Sequence, residues 1–582
     1  VDYEAINPYF KEGIVAVEDR RFHLHQGVDL YGTIRSMAAT YIGGDTQGGS
    51  TLTQQLVRNV ILNNDEVSIE RKLKEQVVAQ ELEKVLSKEE IVQHYLNNVF
   101  FGNGNYGIAP ASQFYFGKDQ SELKPEEVAV IIGITNNPSL FDPINNPENA
   151  FNKRNRVLTT MFNEGVLTEK EYKRAVDTSI ELDIHSHQLN NDVSDNDILQ
   201  YTLHQATKDL MELDGFVFRY LFDSSEEKEK YDARYNESYQ KHWQKIISGG
   251  YEIHTSIDMN KQKELESFVE KEMAKYPNQT EKGLFRTQLS MTTIDNETGE
   301  VVAIMGGRGQ NEDHLHRAYQ SPRQPGSASK PFVSYANAFE LGYAPQSNVV
   351  DSEVPNGPSN WYKGYWGKIT IRHALEQSVN TIAYKLANQV GTDVFMDKLA
   401  KMEFSHLTHE DKNPIISVGG FTHGVTTVEM ASAYSTLARQ GQFLEPTNVV
   451  EIKDMITKET ILKKEKKPKQ IWQEDAAYFT VDALKGVLTD GTGKQAQVPG
   501  YEHVFGKTGT TNGNKDSVFV GGTPYYTTAI WVGHDLPTAL TSSELNLPKT
   551  LFSKWNEQLH KGLKVIDFDM PKSVTKKGDN LY

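Results

Sequence analysis

Three short motifs, far apart in the chain, set the tightest limit on what it can fold into. The first is Ser327-Ala328-Ser329-Lys330, inside the run Arg323 to Pro331. On a helix, positions i and i+3 share a face, so the Lys330 amine can reach the Ser327 hydroxyl. A serine is a poor nucleophile until a base takes its proton. A lysine can take it only if its amine is neutral, which requires desolvation or a nearby cation. Gly326 suits a tight turn into the helix, Ser327 would lie near the positive end of its dipole, and Pro331 is tolerated in a first turn. Alone, this pattern is explained better by a bland surface helix. Two more pieces change that. Ser378-Val379-Asn380 begins 51 residues after Ser327 and precedes an apolar helical run of Ile382, Ala383, Leu386 and Ala387. Lys507-Thr508-Gly509-Thr510 begins 180 residues after Ser327 and precedes a strand-like stretch. A fold that uses all three must bring these segments to one place.

Ser-x-x-Lys, Ser-x-Asn and Lys-Thr-Gly, in that order, resemble the signature of penicillin-binding proteins and class A β-lactamases. The flanking sequence suits such a domain over residues 286–560. Gln288 to Ile294 and Val301 to Met305 read as strands around a hairpin turn at Asp295 to Gly299. Trp361 to Gly367 reads as a loop over the cleft, and Gly419-Gly420 precedes a long helix. Strands at both ends with helices between indicate an antiparallel sheet packed by helices, an α/β sandwich.

At 582 residues the chain is multidomain. Its net charge of −17 argues against bulk binding to nucleic acid, so an anionic substrate must be held by local basic residues. It has no cysteine, which excludes disulfides, cysteine zinc sites and thiol nucleophiles and suits an exported bacterial enzyme. No signal peptide and no apolar run of about 18 residues is found. The start Val1-Asp2-Tyr3, without Met, leads us to expect that a single-pass N-terminal membrane anchor has been removed.

Residues 1–180 read as mostly α-helical. Ser87 to Glu90 is a capping box, Lys124-Pro125-Glu126-Glu127 opens a helix with Pro early and acids in its first turn, and Thr168 to Glu171 is a third start signal. Chemistry concentrates in three places: Glu18-Asp19-Arg20-Arg21-Phe22 with His23 and His25; Gly48-Gly49-Ser50-Thr51-Leu52-Thr53-Gln54-Gln55; and Arg71-Lys72-Leu73-Lys74-Glu75. Two carboxylates, Glu18 and Glu75, with cations beside one, would suit removal of a sugar hydroxyl proton and support of a diphosphate leaving group. Either glutamate alone is more simply a solvated helix charge. His23 and His25 are poorly spaced for a metal site.

These stretches, with Tyr95-Leu96-Asn97 and Tyr115-Phe116-Gly117-Lys118, resemble the family-51 peptidoglycan glycosyltransferases, which have a lysozyme-like fold. The resemblance covers about the first 165 residues. It implies that Glu18 deprotonates the acceptor hydroxyl. It also implies that Glu75 assists on the donor side with Arg71 and Lys72 near the lipid diphosphate, and that Ser50, Thr51, Gln54 and Arg58 bind substrate. Arg58 stands where many relatives carry Lys, which keeps the charge but changes the geometry. The sequence leaves open whether a divalent cation, Mg or Mn, helps the diphosphate leave.

Residues 181–285 read as a small α+β linker region, with polar runs at Asn190-Asn191-Asp192 and Ser224 to Glu227, interspersed aromatics, and a strand at Tyr251 to Asp258. Residues 561–582 read as a poorly ordered C-terminal tail.

Taken whole, the chain resembles a class A, bifunctional penicillin-binding protein of a Gram-positive bacterium. That resemblance implies a peptidoglycan synthase at the extracytoplasmic face of the cell membrane. Its partners would be lipid II, nascent glycan strands, stem peptides and β-lactams. Ser327 would attack the penultimate D-Ala carbonyl of a stem peptide, releasing the last D-Ala, and Lys330 would take its proton. Ser378 and Asn380 would relay protons and bind substrate, and Lys507 would hold the relay polarised. Thr508, Gly509 and Thr510 would line the peptide, Gly509 letting its backbone approach the strand edge. The Ser327 and Thr510 N–H groups would form the oxyanion hole. The rivals are a D,D-carboxypeptidase or β-lactam-hydrolysing serine enzyme, and a non-enzymatic wall-binding scaffold. A β-lactamase needs a carboxylate-activated water, and no such Glu stands out.

Overall fold

Helix starts are written locally in this chain. Ser87 accepts from the Glu90 N–H and Glu90 returns a bond to the Ser87 N–H, opening the helix Lys88–Asn98. Thr168 and Glu171 do the same for Glu169–Asp177, and Pro125 opens Pro125–Ile134. The computed structural model describes residues 1–29, 31, 50–58, 69–102, 105–135, 137–138, 140–144, 146–180, 182–183, 196–247, 250–280, 283–309, 315–454, 457–578 and 580–582. The Gly48-Gly49 turn and the Asn190-Asn191-Asp192 run lie outside them.

The chain forms two compact units, Val1–Asn191 and Asp192–Tyr582. Among its described residues the first unit is helical. Its centre is Pro125–Ile134, apolar after its acidic first turn and buried except at Glu127, as expected of a helix covered on most sides. Pro8–Glu18 and Pro147–Asn163 pack on it. Gly13 lets them close up, since a Cβ there would lie 3.0 Å from Ile132 Cδ1 and 3.1 Å from Met161 Cε.

The second unit is built on a five-stranded antiparallel sheet. Its spatial order is Phe505–Thr510, Asp516–Gly522, Tyr526–Gly533, Gln288–Asp295 and Val301–Met305. Successive residues of a strand face opposite sides, and one pair shows both faces covered. Thr292 bonds to Thr427, on the helix Thr427–Ala438. Thr293 accepts from Trp555 Nε1, on the helix Ser542–Leu559. The expected sandwich is therefore present, with the sheet buried between helix layers. The hairpin is where the sequence puts it, with Gly299 at φ +76 and its N–H donating to the Asp295 carbonyl.

The α+β element expected at residues 181–285 lies from Asp192 onward within the second compact unit, and its sheet draws strands from elsewhere in the sequence. Its strand Tyr251–Thr255 pairs with Val449–Asp454, which pairs in turn with Thr460–Lys463. The tail departs from expectation. Phe568 packs edge-on against Phe505, Tyr501 donates to the Ile566 carbonyl, and Val574 and Leu581 are buried. Apolar side chains scattered through a basic tail were enough to tie it down.

Candidate active sites

The run that carries Ser327 is helical but not one regular α-helix. It winds as 3-10 over Gly326–Ser329, as π over Pro331–Tyr335 and as α over Ala336–Glu340. Pro331 has no N–H to give to the ladder at the change of winding, and π turns recur at functional sites. Gly326 is at φ +54, and a Cβ on it would lie 2.6 Å from the Thr510 carbonyl oxygen. A Cβ on Gly509 would lie 2.0 Å from the Pro325 carbonyl oxygen. Glycine at both positions lets the nucleophile run press its backbone onto the edge strand Phe505–Thr510.

Ser378 lies between two helices, Ile371–Glu376 and Asn380–Val390, at φ +57, a strained angle for a residue with a side chain. The strain presents its hydroxyl to two lysines. Lys330 Nζ lies 3.1 Å and Lys507 Nζ 2.9 Å from Ser378 Oγ. Lys330 also donates to the Ser378 carbonyl at 2.6 Å and to Asn380 Oδ1 at 2.6 Å. Lys507 reaches the Thr508 carbonyl at 3.2 Å. Both lysines are 0% exposed. Burial pushes the Lys330 amine well below its ordinary value, and the neighbouring Lys507 pushes it further. Burial brings Lys507 down to about 7. Both effects move Lys330 toward the neutral amine, the form a base requires.

The direct Lys330–Ser327 hydrogen bond suggested by i,i+3 spacing is not made. Lys330 is drawn to the Ser378 and Asn380 oxygens, and the half-buried Ser327 hydroxyl has no hydrogen-bond partner among the described residues. Gly509 also has a different reason from the one expected. The space it opens is filled by the Pro325 carbonyl rather than left to a substrate. Thr508 bonds through its hydroxyl to Thr492 at 2.7 Å, while Thr510 is exposed at the strand end.

In the first unit, Glu18 ends the helix Pro8–Glu18. Its carboxylate accepts from Gln55 Nε2 at 3.0 Å and from Thr135 Oγ1 at 3.4 Å. Gln55 in turn accepts from the Tyr95 hydroxyl at 3.0 Å. Glu75 lies on Ile69–Val85 and is 1% exposed. Arg71 Nη1 donates to its Oε2 at 2.8 Å, Lys72 donates to its Oε1, and Lys72 also reaches Ser50 Oγ at 2.8 Å. The short segment Ser50 to Gln55 therefore touches both carboxylate clusters. Arg58 lies close enough to Tyr95 to lower that hydroxyl's proton affinity against the larger effect of burial. Thr51 and Gln54, expected to face substrate, are buried and cap the helix Leu52–Leu56 through each other. Thr51 also donates to the Gly27 carbonyl at 2.7 Å. They shape the turn that presents Ser50 and Gln55.

Residues 1–162 match the Transglycosylase family and residues 289–554 match the Penicillin binding protein transpeptidase domain. A penicillin-binding protein 1A of Clostridium perfringens is 33% identical, over 99% of this chain and 71% of its own length. The chain belongs to the class A, bifunctional penicillin-binding proteins. Penicillin-binding protein 4 of Bacillus subtilis is 32% identical over 93% of this chain and 84% of its own. The solved penicillin-binding protein 1A of Haemophilus influenzae shares the fold at TM-score 0.54 and 18% identity, covering 90% of each chain. This penicillin-binding protein is accordingly a peptidoglycan glycosyltransferase and a serine-type D-Ala-D-Ala transpeptidase, and it binds β-lactams.

The structure adds residues that sequence reasoning did not single out. Asp351, 1% exposed, accepts from Thr381 Oγ1 at 2.5 Å, Tyr362 OH at 2.6 Å, the Trp366 N–H at 2.7 Å and Asn360 Nδ2 at 2.9 Å. Burial alone would raise its proton affinity, but these bonds outweigh burial and hold it below the usual carboxylate range. Asn360 Oδ1 then accepts from the Asn380 N–H at 2.9 Å, and Asn380 Nδ2 donates to the Ser359 carbonyl at 2.7 Å. The penicillin-binding protein thus orients Asn380 from a buried carboxylate that no local spacing marks. In the first unit the missed residues are Thr135 and Lys153. Burial lowers the Lys153 proton affinity and the nearby Glu18 opposes this.

Proposed function

We propose that this enzyme polymerises lipid II through Glu18 and cross-links stem peptides through Ser327. The observation that carries the peptide half is the convergence of two buried lysines on the Ser378 hydroxyl, beside a Ser327 left free to attack. Ser327 Oγ adds to the penultimate D-Ala carbonyl and its proton passes to the neutral Lys330 amine. The developing oxyanion is held by the Ser327 and Thr510 N–H groups. As the C–N bond breaks, Ser378 hands a proton from Lys330 to the departing D-Ala nitrogen. The acceptor amine of a second stem peptide then attacks the ester. Its proton returns by the same relay to Ser327 Oγ as the C–O bond breaks. Lys507 keeps Ser378 polarised and attracts the peptide carboxylate while it is charged. A β-lactam enters by the same first step and remains as an ester. Among the described residues no carboxylate hydrogen-bonds to Lys330, Ser378 or Lys507, so the carboxylate-held water that a fast β-lactamase uses has no anchor there.

In the first unit, the Glu18 carboxylate takes the acceptor hydroxyl proton while the oxygen bonds to the donor's anomeric carbon. The bond from that carbon to the diphosphate breaks, and the Arg71 and Lys72 cations, oriented by Glu75, receive the negative charge. Both Glu75 oxygens are taken by Arg71 and Lys72, and the described residues hold no group of three or more metal-ligating side chains. A magnesium or manganese ion would be held mainly by the donor's own diphosphate, and no step is routed through one. The lipid-linked donor places the enzyme at the outer face of the cell membrane, with a single-pass anchor as part of this proposal. Among the described residues no helix is long and apolar enough to cross a membrane.

The test uses labelled lipid-linked disaccharide and mass spectrometry after penicillin. Wild type polymerises and carries one slowly decaying adduct. Glu18→Gln loses polymerisation, and Ser327→Ala loses the adduct while polymerising largely as before. Equal polymerisation by Glu18→Gln, or rapid turnover of penicillin, would refute the reading.

A further inference from the structure

The loop at Trp361 to Gly367 takes no part in the chemistry above, yet it is tied to the catalytic residues. Trp361 Nε1 donates to the Gln377 carbonyl at 2.8 Å, one residue before Ser378. Asp351 holds Tyr362 and the Trp366 N–H, and Asn380 holds the Ser359 carbonyl. These bonds tie the loop to the residues on either side of Ser378 and Asn380.

Its rings are left open to solvent. Trp361 is 64% exposed, Tyr365 49% and Trp366 40%. Tyr362 stacks flat on one face of Trp366, with centroids 3.8 Å apart and planes 1° apart, which fixes that indole. Trp361 stands almost perpendicular to Trp366, at 87° and 6.4 Å. The two indoles make a corner of flat apolar walls. Fixed, exposed aromatic faces beside an active site indicate a ligand with a flat apolar face and a polar edge.

We propose that this corner binds the sugar rings of the glycan strand whose stem peptide enters the Ser327 site. The axial C–H face of a pyranose lies flat on an indole while its hydroxyls stay in water. Two exposed cations on the same segment, Lys363 and Lys368, suit a strand bearing peptide carboxylates and disfavour the acceptor's ammonium group. The strand is what the other half of the same chain makes, so the occupant is always at hand. The corner thereby favours peptides carried on glycan over free peptides of the same sequence.

This rests on Ser327 as the acyl-transfer residue. The full-length chain is assayed for D-Ala release from two donors, a stem peptide on uncross-linked glycan and the same peptide free. The readout is the ratio of their KM values. Wild type prefers the glycan-borne donor, and Trp361→Ala reduces that preference about tenfold. Trp361→Phe keeps the apolar face without the N–H bond to Gln377, so it retains most of the preference. An unchanged ratio in Trp361→Ala overturns the inference, as does a loss in Trp361→Phe equal to that in Trp361→Ala, which would mean an anchoring role alone. Loss of binding to phosphatidylglycerol vesicles by Trp361→Ala with the ratio intact would make the corner a membrane contact and also overturn it. Failure of the Ser327 reading is recognised separately, by absence of a penicillin adduct on wild type.

Discussion

Lys330 and Lys507 share one acceptor, the Ser378 hydroxyl oxygen, at 3.1 and 2.9 Å, although they sit on a helical run and a sheet strand far apart in sequence. Two buried amines this close to one oxygen cannot both stay charged without cost. Shared burial lowers the proton affinity of both amines, and it makes the site sensitive to pH.

Lys507 titrates in the folded protein at about 7, far below the 10.5 of a free lysine, because it is buried. Between those values the unfolded chain binds more protons than the native one, so stability rises with pH. The burial penalty is fully present below about 7 and gone above about 10.5. A tenfold change in proton affinity is worth ~1.4 kcal/mol, so the full gap corresponds to roughly 4–5 kcal/mol. Denaturant titrations should show wild type gaining on Lys507→Met between pH 7 and pH 10, with Lys507→Met the more stable at pH 7. Parallel stability curves would show that the amine is not desolvated.

Gly509→Ala tests the close approach of backbone to backbone. The added methyl carbon would lie 2.0 Å from the Pro325 carbonyl oxygen and 3.2 Å from Ala328 Cβ, and neither belongs to a flexible side chain. The strand and the nucleophile run must part. We expect penicillin acylation to fall at least a hundredfold and stability to drop by about 1–3 kcal/mol, as for other overpacked sites. Polymerisation of lipid-linked disaccharide should be retained. Acylation within twofold of wild type, measured by fluorescent penicillin, would contradict the geometry.

The parts of this protein that were legible in sequence are those governed by local rules. Capping boxes at Ser87 and Thr168 gave true helix starts, and the hairpin at Asp295 to Gly299 formed as spelled. The Ser-x-x-Lys, Ser-x-Asn and Lys-Thr-Gly residues did converge. What was hidden depends on non-local contact. Tyr251–Thr255 finds its partner strand at Val449–Asp454, and no pattern near either announces the other. Thr51 and Gln54, which the resemblance alone marked as substrate contacts, also form a buried capping box that the sequence analysis did not note. Asp351 gains its role only because four donors from different turns surround it.

Asp351→Ala should therefore reach the peptide site without touching it. The change leaves four donors without their carboxylate, which at buried sites costs on the order of 2–4 kcal/mol. Asn360 loses its anchor and with it the hold on the Asn380 N–H. Penicillin acylation should slow about tenfold or more, and the variant should unfold at lower denaturant. Asp351→Asn, which keeps one acceptor oxygen, should fall between. A variant as unstable as expected but acylated at the wild-type rate would show that the hub supports the fold alone.

Gln55 offers the corresponding test in the glycosyltransferase unit. It donates to Glu18 at 3.0 Å and accepts from Tyr95 at 3.0 Å, so the carboxylate, amide and hydroxyl form one chain. A base must point at the proton it removes, and Gln55 on Oε2 with Thr135 at 3.4 Å on Oε1 sets the angle at which the Glu18 carboxylate meets the acceptor hydroxyl. Gln55→Leu preserves the volume and removes both bonds. We expect kcat for polymerisation to fall about ten- to a hundredfold, at or below the ~10²–10⁴-fold worth of the base itself because Glu18 remains, with KM for lipid II nearly unchanged. Tyr95→Phe removes only the outer bond and should cost a few-fold. A fall in kcat/KM that arises wholly from KM would mean that Gln55 binds substrate directly and does not aim Glu18. Peptide acylation at Ser327, measured on the same preparations, reports whether either change has spread beyond its own unit.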